Sequence, residues 1–129
     1  MPRRGSPTLT DGELRLMRVL WGRDRATVGE VTAALPGEPK LAYNTVLTML
    51  KILERKKYVR HWKQGRAFAF YPVVDAQQAR RTAMLYLVSR FFDDSPGLLV
   101  LHVLQHGVLS AEERDRVRVL LNGARPDAG

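Results

Sequence analysis

Apolar residues recur at helical spacing between residues 11 and 57 and predict three helices in this part of the chain. The predicted helices cover about residues 11–21, 28–35 and 43–57. Each of the first two begins at a Thr followed three residues later by a Glu, the spacing of a capping box. These pairs are Thr10 with Glu13 and Thr27 with Glu30. Gly22 and the pair Pro36-Gly37 are expected to end the two helices.

The third predicted helix has two different faces. Its apolar face holds Val46, Met49, Leu50 and Leu53. A polar stripe on the opposite side, with steps of four, three and four residues, holds Asn44, Thr48, Lys51 and Arg55. A helix that merely faces solvent has the same pattern, so the stripe alone does not establish a binding role.

Residues 58–71 change from helical to strand character. Two aromatic-rich runs, residues 58–63 and 66–71, flank Gln64-Gly65, and this arrangement predicts a β-hairpin that ends at Pro72. Its aromatic side chains could form a base-stacking platform for single-stranded nucleic acid, although a role in the core is the favoured interpretation. These side chains are Trp62, Phe68, Phe70 and Tyr71.

Helical spacing returns after residue 73 and predicts three more helices. They cover about residues 76–92, 98–105 and 110–121, and the last begins with a capping-box pattern at Ser110 and Glu113. The whole pattern predicts a mainly α protein with a small β-hairpin wing. A winged helix-turn-helix domain would occupy residues 1–73, and a helical dimerisation region residues 74–129. The terminal segments, residues 1–8 and those from Ala124 onward, are expected to be poorly ordered.

Residues 74–129 carry more apolar side chains than three short helices can enclose. A second copy of the chain would cover the excess, so we expect a homodimer whose interface resembles a divided core. The residues expected at this interface are Tyr86, Leu87, Phe91, Leu98, Leu101, Leu104, Val117, Leu120 and Leu121.

The positive charge of the protein is concentrated in one half. The net charge is +8, and residues 1–73 carry all of it, because residues 74–129 have equal numbers of basic and acidic side chains. Such asymmetry indicates a polyanionic partner for the first half. Residues 51–66 alone contain seven basic side chains: Lys51, Arg55, Lys56, Lys57, Arg60, Lys63 and Arg66.

A predicted helix-turn-helix, a polar stripe and a basic hairpin together favour double-stranded DNA as this partner. Asparagine can pair with adenine through two hydrogen bonds, threonine can contact a base or a phosphate, and lysine and arginine suit phosphates. The candidate DNA-binding residues are Tyr43, Asn44, Thr45, Thr48, Lys51, Arg55, Lys63 and Arg66.

Several other classes of protein are disfavoured. The chain has no cysteine, and it shows neither a nucleophile elbow nor a phosphate-binding glycine loop, so we expect no enzyme and no cofactor. His102 and His106 have the spacing of metal ligands on a helix, but no third ligand accompanies them, so no metal is expected. Neither a signal peptide nor a membrane-spanning run is evident, which favours the cytoplasm and no membrane insertion.

Three stretches of the chain together resemble the penicillinase repressor family. They are residues 9–31, with Leu9-Thr10-Asp11-Gly12-Glu13-Leu14 and Thr27-Val28-Gly29-Glu30-Val31; residues 41–56, with Tyr43-Asn44-Thr45-Val46; and residues 65–73, with Gly65-Arg66-Ala67-Phe68 and Tyr71-Pro72-Val73. The resemblance covers about residues 8–122. It implies a bacterial transcriptional repressor that binds palindromic operators as a homodimer through its C-terminal helices.

The resemblance also implies how such a repressor leaves DNA. In this family, a membrane sensor metalloprotease triggers cleavage of the repressor at an Asn–Phe bond in the C-terminal region. The equivalent pair here is His102–Val103, which is the candidate cleavage site and differs from the family at both residues. The copper-responsive branch carries a cysteine-rich metal motif, and this chain lacks cysteine.

Two other functions remain open on the sequence. One is a winged-helix module that binds protein rather than DNA. The other is a regulator that senses a small molecule and has no proteolytic switch.

Overall fold

The computed structural model describes residues 8–123, which form six helices and a three-stranded sheet. The helices are α1 (Asp11–Arg23), α2 (Val28–Ala34), α3 (Tyr43–Arg55), α4 (Ala76–Phe91), α5 (Pro96–Gln105) and α6 (Ala111–Gly123). The strands are β1 (Ala26–Thr27), β2 (Val59–Gln64) and β3 (Ala67–Pro72). The predicted fold class, a mainly helical winged helix-turn-helix, is confirmed. Apart from Thr8, the terminal segments expected to be poorly ordered lie outside the described residues.

The wing is an antiparallel sheet with the strand order β1-β3-β2. β2 and β3 form the predicted hairpin, whose turn places Gly65 at a φ of +64°. Glycine adopts this left-handed conformation without the penalty that a Cβ atom imposes. The strand β1, in which Ala26 and Thr27 pair with Phe70 and Ala69 of β3, is not among the predicted elements. Two residues are too few to show strand periodicity, so only the pairing reveals this strand.

Side-chain caps define the helix beginnings that the sequence predicted. At α1 the Thr10 amide donates to Glu13 Oε1 over 2.9 Å, and the Glu13 amide donates to Thr10 Oγ1 over 3.1 Å. The same reciprocal bonds occur at α2 and α6, so all three capping boxes are confirmed. The positions at which the helices end are predicted less accurately. Gly22 does not end α1, which continues to Arg23 and stops at Asp24, where φ is +71°.

The core of the winged domain lies where α1, α2, α3 and the sheet meet. Its fully buried members are Leu16, Met17, Leu20, Val28, Val31, Val46, Leu50, Leu53 and Val59. Among the hairpin aromatics, Phe70 is buried with them, whereas Trp62 and Phe68 are exposed by 38% and 44%. The expectation of a core role is therefore correct for Phe70 and wrong for Trp62 and Phe68. Phe68 lies on the same face of β3 as Phe70 but nearer the turn, so this difference in burial follows from position along the hairpin.

The chain divides into two compact units between Tyr86 and Leu87. The first contains α1–α3, the sheet and most of α4. The second contains the end of α4 with α5 and α6, and among its described residues Val88 alone is buried. The division of function between residues 1–73 and 74–129 stays a prediction. No helix within residues 8–123 is both long and apolar enough to cross a membrane.

Candidate nucleic-acid interface

The helix α3 presents its polar stripe to solvent. Its candidate DNA-binding residues are all exposed: Tyr43, Asn44, Thr45, Thr48, Lys51 and Arg55. On the opposite side of the helix Val46, Leu50 and Leu53 have no exposed surface. Leu47, which lies between the two faces, packs partly buried against the core. Burial of one face therefore fixes which side chains α3 can offer to a ligand.

The wing is attached directly to α3 through a side-chain contact. His61 Nδ1 on β2 lies 2.8 Å from both carboxylate oxygens of Glu54 in α3. The His61 ring also packs against the rings of Phe68 and Phe70, at centroid distances of 5.2 and 5.3 Å. These contacts hold the hairpin in a defined position beside α3. The structure thus brings the two predicted parts of the interface together within one unit.

The tip of the wing carries the other two candidate residues. Lys63 and Arg66 lie on either side of the Gln64-Gly65 turn, and both are exposed. Neither has an acidic partner among the ion pairs of the described residues. Their charges are therefore available to phosphate groups.

One of the seven basic side chains of residues 51–66 is directed away from this surface. Lys56 has a side chain only 14% exposed, and its Nζ lies 2.8 Å from Glu13 Oε1 in α1. Lys56 is therefore not part of the exposed basic surface, because its charge is already paired inside the domain. The other six are exposed: Lys51, Arg55, Lys57, Arg60, Lys63 and Arg66.

Arg25 lies beside the wing, although it is not among the predicted binding residues. Its guanidinium carbon lies 5.8 Å from the centroid of the Trp62 ring, a cation–π contact. Arg25 and Arg23 also line a recess of about 410 Å³ beside the wing, together with Ala26, Thr27, Glu30, Gln64 and Ala69. Pairing of β1 with β3 brings Arg25 to this position, and no local sequence signal indicates it.

Most of the residues expected at a dimer interface are exposed in the second unit. Phe91, Leu120 and Leu121 are exposed by 68%, 66% and 71%. Leu87, Leu98, Leu101 and Leu104 are also exposed, whereas Tyr86, which ends the first unit, and Val117 are half-buried. Neither α5 nor α6 contains a buried residue.

The two histidines of α5 stack on each other, with ring centroids 4.1 Å apart. No cluster of three or more metal-ligating side chains occurs in the described part of the chain. His102 is exposed and Val103 half-buried, and the candidate cleavage bond between them lies within α5.

Comparison with known proteins identifies relatives of the whole chain. Residues 9–123 match the family model described as "Penicillinase repressor". The penicillinase repressor of Bacillus licheniformis is 29% identical over 115 residues, which cover 89% of this chain and 90% of the relative. The transcriptional regulator BlaI of Mycobacterium tuberculosis is 31% identical, with 94% of this chain and 92% of the relative covered. A solved DNA-binding domain of the repressor BlaI is 30% identical, with a TM-score of 0.50, and covers 59% of this chain and 93% of that domain.

Proposed function

This chain belongs to the penicillinase repressor family, whose members are transcriptional repressors and not enzymes, and we propose that it represses transcription by binding operator DNA through α3 and the wing. The observation that carries the proposal is the exposed polar stripe of α3 beside an exposed basic hairpin. The likeness to a solved domain that is described as DNA-binding supports DNA as the partner. Such a repressor would act in the cytoplasm, where its DNA target lies.

The stripe suits the major groove in a specific orientation. The exposed residues Asn44, Thr45 and Thr48 lie in the first two turns of α3, the part of a recognition helix that meets base edges. Lys51 and Arg55 follow at the far end, where their charges would meet phosphates. Lys63 and Arg66 would add phosphate contacts from the wing.

We also propose that the repressor acts as a homodimer on palindromic operators. The exposed apolar side chains of α5 and α6 support this, because a second copy would remove them from water. Two winged domains joined in this way bind two half-sites, and the second contact benefits from a high effective concentration. Two-fold symmetry then requires half-sites separated by about one helical turn of DNA, or a multiple of it.

Release from DNA by cleavage at His102–Val103 is a further part of the proposal. Cleavage would separate α6 and the end of α5 from the winged domain and so divide the dimerisation region. The exposure of His102 supports access to this bond, although α5 would have to unwind for the bond to enter an extended protease site. Mass spectrometry of the chain from induced host cells tests this step. A fragment ending at His102 is expected, and persistence of the intact chain during derepression would contradict it.

A regulator that senses a small molecule is the second candidate function, because the first unit contains a suitable recess. This recess has a volume of about 430 Å³, within the range of ligand sites, and is lined by Leu9, Leu14, Arg18, Trp21, Ala76, Ala79, Arg80 and Ala83. Its apolar surface and two arginines would suit an apolar carboxylate. Loss of operator binding on addition of such a carboxylate, with the chain intact, would favour this alternative.

The proposed function is tested by selecting bound duplexes from a random DNA pool. A palindromic consensus is expected, and Lys51→Gln with Arg55→Gln should weaken binding to all sequences alike, because both contact phosphates. The consensus can then be located in the promoters of the host. A pool that shows no enrichment would contradict DNA recognition and favour a protein-binding module.

A further inference from the structure

A buried ion pair connects α1 to the end of α3. Glu13 is 5% exposed and is the one buried charged residue in the described part of the chain. Lys56 Nζ donates to Glu13 Oε1 over 2.8 Å and to the Thr8 carbonyl over 3.0 Å. The same Glu13 oxygen accepts the Thr10 amide of the capping box. One carboxylate oxygen therefore joins the beginning of α1 to a residue of the α3 terminus.

Lys56 is itself held firmly to α3. Its amide donates to the Ile52 carbonyl over 2.9 Å, which continues the helical hydrogen bonding beyond Arg55. The next residue, Lys57, turns the chain with a φ of +70°, and the Tyr58 amide bonds back to the Leu53 carbonyl. A displacement of the Lys56 side chain would therefore also displace the end of α3.

Gly12, the residue before Glu13, also lies close to α3. A Cβ atom at Gly12 would lie 2.9 Å from Met49 Cε, so the absence of a side chain at Gly12 leaves room for the end of the Met49 side chain. The first turn of α1 therefore packs against α3, and the ion pair links this turn to the residue that follows α3.

We propose that Glu13 and Lys56 are positioning residues for DNA recognition, which set how the polar stripe of α3 is presented without contacting DNA themselves. This inference rests on the proposed function. Breaking a buried pair by removing one partner leaves an uncompensated charge, and α3 would shift to hydrate it. Base contacts require placement to within about 0.5 Å, whereas phosphate contacts by flexible side chains tolerate more. Loss of the pair should therefore reduce specific binding more than non-specific binding.

The test compares Lys56→Gln, Lys56→Arg and Glu13→Gln with a matched control, Glu30→Gln. Glu30 forms the same capping box at α2 but takes part in no ion pair within residues 8–123. Affinities for the selected operator and for random duplex are measured with full-length protein over a range of salt. Circular dichroism identifies a temperature at which every variant is folded. If Lys56→Gln does not fold, the double variant Glu13→Gln/Lys56→Met takes its place, because it removes both charges.

We expect Lys56→Gln and Glu13→Gln to lower the ratio of specific to non-specific affinity by about tenfold, or 1.4 kcal/mol. Lys56→Arg should recover much of this ratio, and Glu30→Gln should leave it unchanged. The slope of log affinity against log salt should stay the same. A slope smaller by about 0.9 for Lys56→Gln would instead make Lys56 a phosphate contact and overturn the inference.

Three other outcomes also decide the question. An equal effect of Glu30→Gln and Glu13→Gln would assign the loss to helix capping and overturn a positioning role. If the wild type binds its operator and the Glu13 and Lys56 variants keep the full ratio of specific to non-specific affinity, this inference alone is overturned. Wild-type protein that binds no duplex would overturn the proposed function, and this inference with it.

Discussion

The residues of the exposed α3 stripe differ in what they can contribute to binding. Asn44 can distinguish one base from another, because its amide offers a donor and an acceptor in a fixed plane. Lys51 and Arg55 lie towards the other end of α3, where the proposed binding mode gives them phosphates, which are alike in every sequence. The structure exposes all three side chains, and their positions along α3 assign specificity to Asn44 and affinity to the two cations in the proposed binding mode.

The prediction for Asn44 follows from this difference. Asn44→Ala should weaken binding to the preferred operator by about 1–3 kcal/mol and relax discrimination at one base position. Duplex selection with the variant measures both effects. Asn122→Ala, an exposed asparagine on α6, is the control and should leave the consensus unchanged. An unchanged consensus for Asn44→Ala would remove this residue from base recognition.

A second prediction at this scale concerns alkaline pH. Burial raises the pKa of the Tyr58 hydroxyl above its usual 10.0, and the negative charge of Glu13 raises this pKa further. A raised pKa means that the folded protein favours the neutral hydroxyl of Tyr58. The contribution of Tyr58 to folding stability is therefore complete below pH 10 and is lost as pH rises through the pKa of the folded state.

Tyr58→Phe should therefore reduce the loss of folding stability above pH 10, the usual pKa of this group. Urea unfolding at pH 8 to 11, a range of about three units around that pKa, measures the effect. Tyr43→Phe changes an exposed hydroxyl and serves as the control. Equal alkaline losses in the wild type and Tyr58→Phe would show that Tyr58 is not the group responsible.

The short connection between α3 and β2 links the wing to the recognition helix. α3 ends at Arg55, and the turn at Lys57 leads directly into β2, whose His61 contacts Glu54 of α3. The hairpin therefore cannot move far from the helix that precedes it. In the proposed binding mode, Lys63 and Arg66 at the tip of the hairpin would contact the DNA backbone beside the groove that α3 enters.

Neutralising the wing tip should change the salt dependence of binding. Lys63→Gln with Arg66→Gln should reduce the slope of log affinity against log salt by roughly 2, because each phosphate contact contributes about 0.9. The selected consensus should not change. Arg80→Gln with Arg81→Gln removes the same charge from α4 and should affect the slope much less. Equal slopes for wild type and the wing variant would exclude the wing tip from the interface.

Across the described residues, the second unit is distinguished by its many exposed apolar side chains. Leu101 is 51% exposed on α5, and Leu120 and Leu121 on α6 are more exposed still. An apolar surface of this kind is unfavourable in water, and a second copy of the chain can cover it.

Leu101→Asp should therefore shift the protein from dimer to monomer, because the carboxylate would lose its hydration at the interface. Operator affinity should fall strongly while the consensus stays the same. Sedimentation at micromolar concentration measures the assembly state, and Gln105→Asp, the same charge at the end of α5, is the control. A wild-type monomer that binds its operator tightly would defeat the dimer proposal.

Features that depend on neighbouring residues can be predicted from the amino-acid sequence. Capping boxes at Thr10, Thr27 and Ser110, the glycine turn at Gly65 and the two faces of α3 all act within a few residues, and the structure contains each of them. The fold class followed from the order of these elements, because few arrangements bury their apolar faces together.

Features that depend on distant partners become visible only in the folded protein. Residues 26 and 27 form the strand β1 only because they pair with β3. The Lys56 side chain is directed into the domain because it pairs with the buried carboxylate of Glu13, which is remote in sequence. Phe70 is buried and Phe68 exposed because the helices cover only part of the hairpin. These features follow from how whole helices and strands pack together. A local pattern of side chains does not show which distant residues will lie beside it.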